Sequence, residues 1–143
     1  MRAAIVIAVA VPLAAADLAW KHLSPAPDWA YHERSPAWLA LSVCLLGILL
    51  ALARVPSALV SPAAGVLAGG VLGNALSASW NDLRVPNPIV VEGESAVIAF
   101  TLADLFVLAG IVLLTVSLAT TLLRQRRLLP KPRMARGRLR RRF

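Results

Sequence analysis

Charged residues are almost absent from four long runs of this chain and crowd into the segments between them. The apolar runs cover residues 3–20, 37–53, 58–76 and 96–123. About twenty consecutive apolar residues are enough for a helix to cross a bilayer, so each run predicts one membrane span. The first is the shortest for its task and carries Asp17 and Pro12; a proline inside a span is tolerated when neighbouring helices satisfy the freed backbone. Arg2, an apolar core and Ala14-Ala15-Ala16 ahead of Asp17 also fit a cleavable secretory signal, but further spans follow here instead of a soluble domain. The second run ends at Arg54, and Val55-Pro56-Ser57 predicts a tight turn into the third. Pro62 falls in the first turn of the third, where its missing N–H does little harm. Gly65, Gly69 and Gly73 repeat at a spacing of four and give that helix a face on which a neighbouring backbone can pack closely.

Two polar segments separate the spans. Residues 22–36 contain three prolines, and Trp20, Trp29, Tyr31 and Trp38 gather around them, as aromatic side chains do at a membrane–water interface. Residues 77–95 hold Pro86 and Pro88, which preclude a long helix, and Ile89-Val90-Val91, which suits a short strand. The predicted fold class is an all-α membrane protein, a four-transmembrane-helix bundle with two short outer loops and a small β element in the second. Residues 1–123 form one membrane domain and residues 124–143 a basic tail.

Composition agrees with this division. Of 143 residues, 59% are hydrophobic and the mean hydropathy is +0.73. A soluble domain is nearer half apolar. The net charge is +8, yet ten of the fifteen basic residues lie beyond Leu123. That concentration predicts a cytoplasmic stop and orientation signal, either disordered or lying against anionic headgroups. Arginine at this density also suits RNA, but the plain reading expects no nucleic-acid partner. Arg2, Arg54 and the tail hold twelve of the fifteen Lys and Arg on one side; Lys21, Arg34 and Arg84 fall on the other. The positive-inside rule then predicts both termini in the cytoplasm and both polar loops outside.

Cys44 alone excludes an internal disulfide or a CxxC site and, within an apolar run, reads as a small buried hydrophobe. Leu41-Ser42-Val43-Cys44 lies too far from the N-terminus, with the wrong residue before Cys, to be a lipid-attachment box. His22, His32, Asp28 and Glu33 lack the spacing of convergent ligands. Neither a metal nor another cofactor is expected.

On this topology Asp17, Asn74, Ser77 and Asp104 share one depth, at the outer ends of three spans. Carboxylates at the mouth of a span are costly enough to need a reason. Each also has a local role. Asp17 and Lys21 are four apart and can pair on one helix face. Asn74 can cap the third span or bond across helices. Thr101-x-x-Asp104 fits a capping box, with the acid favourably placed at the helix dipole.

These residues resemble signal peptidase II, the lipoprotein signal peptidase, a family of four-span membrane aspartic peptidases. Asp17-Leu18-Ala19-Trp20-Lys21 resembles its Asp-Gln-x-x-Lys at the end of span one. Gly69-Gly70-Val71-Leu72-Gly73-Asn74 resembles its Gly-Gly-x-x-Gly-Asn at the end of span three, and Phe100-Thr101-Leu102-Ala103-Asp104 its Phe-Asn-x-Ala-Asp at the start of span four. Order and spacing agree up to about Leu123. The resemblance implies cleavage of prolipoprotein signal peptides, with Asp104 as one catalytic acid and Asp17, Lys21, Asn74 and Thr101 binding substrate or shaping the site. The departures are specific. The family's other catalytic acid and the arginine after it are here Ser77 and Ala78. Thr101 replaces its Asn and Leu18 its Gln, and the first outer loop lacks its Asn-x-Gly-Ala-Ala-Phe segment.

The chemistry makes the Ser77 replacement severe. An aspartic peptidase needs two carboxylates that share a proton and hold a water between them. A serine without an activating neighbour is no base at pH 7. Losing one member of a catalytic unit removes orders of magnitude in rate. Asp82 could stand in only if the loop folds back; on a continuing helix it would lie about 7.5 Å further along and on another face. The expectation is a divergent relative with impaired or lost cleavage. The alternatives are a non-catalytic binding or scaffold protein for lipoproteins or lipids, and an unrelated small membrane protein.

Overall fold

The computed structural model describes residues 1–128. Four helices are long and apolar enough to cross a membrane: α1 (Arg2–Leu23), α2 (Pro36–Ala51, extended by a 3-10 turn, Leu52–Arg54), α3 (Val60–Trp80) and α4 (Leu102–Leu128). Four short strands lie in the connections: β1 (Tyr31–Glu33), β2 (Arg84–Pro86), β3 (Ile89–Glu92) and β4 (Val97–Phe100).

α3 is the centre of the bundle. Of the residues in its most apolar window 78% are buried, against 22, 17 and 17% for α1, α2 and α4. α1, α2 and α4 all pack on α3, and α2 and α4 hardly touch each other. The small residues explain the placement. A Cβ built on Gly70 would lie 2.5 Å from the Ala103 carbonyl oxygen, and one on Gly73 would lie 2.8 Å from Asp17 Oδ2. Gly110 of α4 returns the contact, with Leu67 Cα 2.5 Å from its notional Cβ. Side chains at these positions would push the helices apart. α1 runs unbroken through Pro12 and lays Val6, Ala10 and Ala14 into the buried interior.

Both β pairs cap one end of the bundle, called here the hairpin end. β1 and β2 pair antiparallel, with His32 opposite Val85, and so join the α1–α2 connection to the α3–α4 connection. β3 and β4 form an antiparallel hairpin, with Ile89 opposite Phe100. Asn87 ties the two pairs together. It is 2% exposed, its N–H donates to the Ala30 carbonyl (3.1 Å), and its side-chain amide contacts His32 Nδ1 and the Ala99 carbonyl.

Several expected boundaries are corrected. The third span runs to Trp80 rather than residue 76, so Ser77 is helical and not the start of a loop. Polar letters misled here because β2 packs on α3 and Ser77 is buried. The fourth span begins at Leu102 rather than residue 96, because Val97–Phe100 is a strand. α4 continues to Leu128, past the expected end of the span at residue 123, and residues 129–143 of the expected tail lie outside the described part. Cys44 is exposed, not buried.

Candidate functional site

Three of the four polar residues expected at a common depth, Asp17, Asn74 and Asp104, meet with Lys21 in one network at the hairpin end; Ser77 does not join it. Lys21 Nζ donates to Asp17 Oδ2 at 2.6 Å and to Asn74 Oδ1 at 2.9 Å. Asn74 Nδ2 donates to Asp104 Oδ1 at 2.9 Å. One asparagine therefore links an ammonium on α1 to a carboxylate on α4. Lys21–Asp17 is the one ion pair among the described residues, with side chains 4% and 0% exposed. A buried charge without a partner is strongly destabilising, which accounts for the pairing and for the third helix that completes it.

The capping box expected before α4 is formed. Thr101 N donates to Asp104 Oδ2 (3.0 Å), and Asp104 N donates to Thr101 Oγ1 (3.1 Å). A second acid completes the cap from another helix: Ala103 N donates to Asp17 Oδ1 at 2.8 Å. The first N–H groups of a helix have no partner within it and favour negative charge. Asp17 is thus a structural tie between α1 and α4, locked to Lys21 on its other oxygen.

Asp104 is half-buried. With Asn74 it faces a hollow of about 290 Å³ between α2, α3 and α4, lined also by Arg34, Trp38, Ser42, Leu45 and Val107. Ser77 does not line this hollow. It is 2% exposed and borders a separate one with Lys21, His22, Tyr31 and Trp80. Asp82 lies elsewhere again, exposed in a left-handed turn (φ 49°) beside Asp28 and Arg84. Of the expected residues, the fold brings Asp17, Lys21, Asn74, Thr101 and Asp104 together. It leaves Ser77 and Asp82 outside the hollow that Asp104 faces. Among the described residues no group of three or more His, Cys, Asp or Glu could hold a metal ion.

Arg34 was not anticipated. Its backbone N–H donates to the Leu83 carbonyl (2.7 Å), which carries the β1–β2 pairing one residue further and fixes the approach to α2. Its guanidinium lies 4.9 Å from the centre of the Trp38 ring. The sequence signal is slight: a lone arginine directly ahead of Ser35, whose side chain caps α2 through Trp38 N (3.1 Å). Chemically, the hollow offers one carboxylate, one guanidinium, one amide and apolar walls. Comparisons with protein-family models, with curated proteins and with solved structures each return no match.

Proposed function

We propose that this chain is a signal peptidase II-like protein of the inner membrane that binds a lipid or a lipid-modified polypeptide beside Asp104 without hydrolysing it. Both termini are cytoplasmic in this reading, and the hairpin end faces outward. The observation that carries it is the solitude of Asp104: among the described residues it is the only carboxylate lining its hollow. Water activation between two acids has no second acid there. The apolar walls suit acyl chains, so binding survives where hydrolysis does not.

Cleavage is the second reading, favoured by one observation: Asp104 is half-buried and borders the hollow rather than being sealed like Asp17. The test is incubation of the purified protein with a diacylglyceryl-modified prolipoprotein, with the released signal peptide read by mass spectrometry and the retained substrate by co-purification. Retention without release is expected. Release that disappears in both Asp104→Ala and Asp82→Ala would overturn the binding reading in favour of an unusual peptidase. Neither retention nor release would remove both.

A further inference from the structure

Arg34 and Asp104 border the same hollow and are not an ion pair, since Lys21–Asp17 is the one pair within 4.0 Å among the described residues. Arg34 Nε is shielded from solvent and has no hydrogen-bond partner. A buried donor left unmade is expensive, and this one belongs to a charged group in a wall of the hollow. Asp104 accepts one bond on each oxygen, and each carboxylate oxygen has a second acceptor site. A guanidinium that stacks on Trp38 but has no ion pair, and a carboxylate with acceptor sites left over, therefore line a single apolar-walled space.

We propose that the hollow binds a phospholipid with a zwitterionic headgroup carrying a primary ammonium, the phosphate held by Arg34 and the ammonium by Asp104. The inference rests on the lipid-binding reading above and specifies its ligand. Charge complementarity selects the headgroup. A purely anionic head would satisfy Arg34 but set its phosphate against Asp104, and a net charge brought into a poorly solvated space is costly. A quaternary ammonium matches in charge but has no N–H to donate, so Asp104 favours a primary ammonium. The route for the acyl chains is lateral. α2 and α4 hardly touch, and Leu41 and Leu45, which line the hollow, are 69% and 37% exposed, so the hollow opens sideways between these two helices.

The experiment uses the full chain in neutral detergent, offered equal amounts of dioleoyl phosphatidylethanolamine, phosphatidylcholine and phosphatidylglycerol, with retained lipid counted by native mass spectrometry. Phosphatidylethanolamine is expected to exceed each of the others by about tenfold, the value of one charge-assisted hydrogen bond. Arg34→Gln lowers retention of the ethanolamine and choline lipids alike. Asp104→Asn, which keeps a capping side chain, brings ethanolamine down to the choline level. Leu45→Trp, which fills the hollow, lowers all three. Equal retention of the three lipids, preference for phosphatidylglycerol, or an ethanolamine preference unchanged in Asp104→Asn overturns the proposal. Should Asp104→Asn fail to fold by circular dichroism, the wild-type headgroup order together with Arg34→Gln and Leu45→Trp decides. A diacylglyceryl-cysteine peptide is the parallel arm: its retention where phosphatidylethanolamine is not retained refutes this inference and leaves the binding function standing, and retention of neither removes both.

Discussion

At the scale of single residues, Asn74 is the least replaceable position in the network. Its carbonyl oxygen faces Lys21 and its amide nitrogen faces Asp104, so neither the amide's orientation nor its identity is free. Asn74→Ala removes one bond from each charged group and is expected to cost roughly 3 kcal/mol, measured by denaturant unfolding in detergent. Lys21→Met leaves Asp17 charged and buried and is expected to cost about 3–5 kcal/mol; adding Asp17→Asn should return part of that loss, so the two changes are less than additive. The Asp17–Lys21 pair and the Thr101–Asp104 cap were legible in the sequence because both are local, four and three residues apart. The bond from Ala103 N to Asp17 was not, since it joins the first helix to the last. Nor was Arg34 in the hollow, whose position depends on a strand pairing between residues more than fifty apart.

At the scale of elements, the contrast between glycines is instructive. Gly70 and Gly110 lie where α3 and α4 meet, with no room for a methyl group, whereas nothing lies within 4 Å of a Cβ added to Gly47 on α2. Gly70→Leu is expected to destabilise the bundle by about 1–3 kcal/mol through overpacking. Gly47→Ala, by removing a helix-interior glycine, is expected to stabilise it by up to about 1 kcal/mol. Parallel thermal unfolding of the two variants checks both. All four helices were readable from apolar runs, but several of their ends were not. Val97–Phe100 looks like the opening of a span because a short apolar run does not distinguish strand from helix; Thr101 supplies the true start. Ser77 and Ser79 look like loop residues, yet Ser79 Oγ donates to the Ala75 carbonyl (2.8 Å) within a helix that continues to Trp80.

At the scale of the whole molecule, charge is divided by sign as well as by number. All seven acidic residues lie at the hairpin end, on the last turns of α1, the first of α4 or the connections between. Arg2 donates to the Val55 carbonyl (3.0 Å) at the opposite end, where Arg54 and Arg124 also lie. The orientation proposed from that asymmetry makes a direct prediction. In a Cys44→Ala background, Ser95→Cys at the tip of the β3–β4 hairpin should react with a membrane-impermeant maleimide in intact spheroplasts, and Ser57→Cys only after lysis. The reverse pattern would invert the topology, and with it the side from which a ligand enters.

The central position of α3 also bears on how the chain comes to exist. α3 is the least apolar of the four spans. It carries the glycine face and Asn74, and α4, which covers one side of it, is synthesised last. Until α4 arrives, Gly70 and the Asn74 amide have lipid where they need a helix. Of the helices synthesised before it, α1 makes the larger contact with α3 and brings Lys21 to Asn74. A nascent chain arrested before residue 102 presents membrane quality control with a polar groove, so a ribosome-stalled fragment should be degraded faster than one that includes α4.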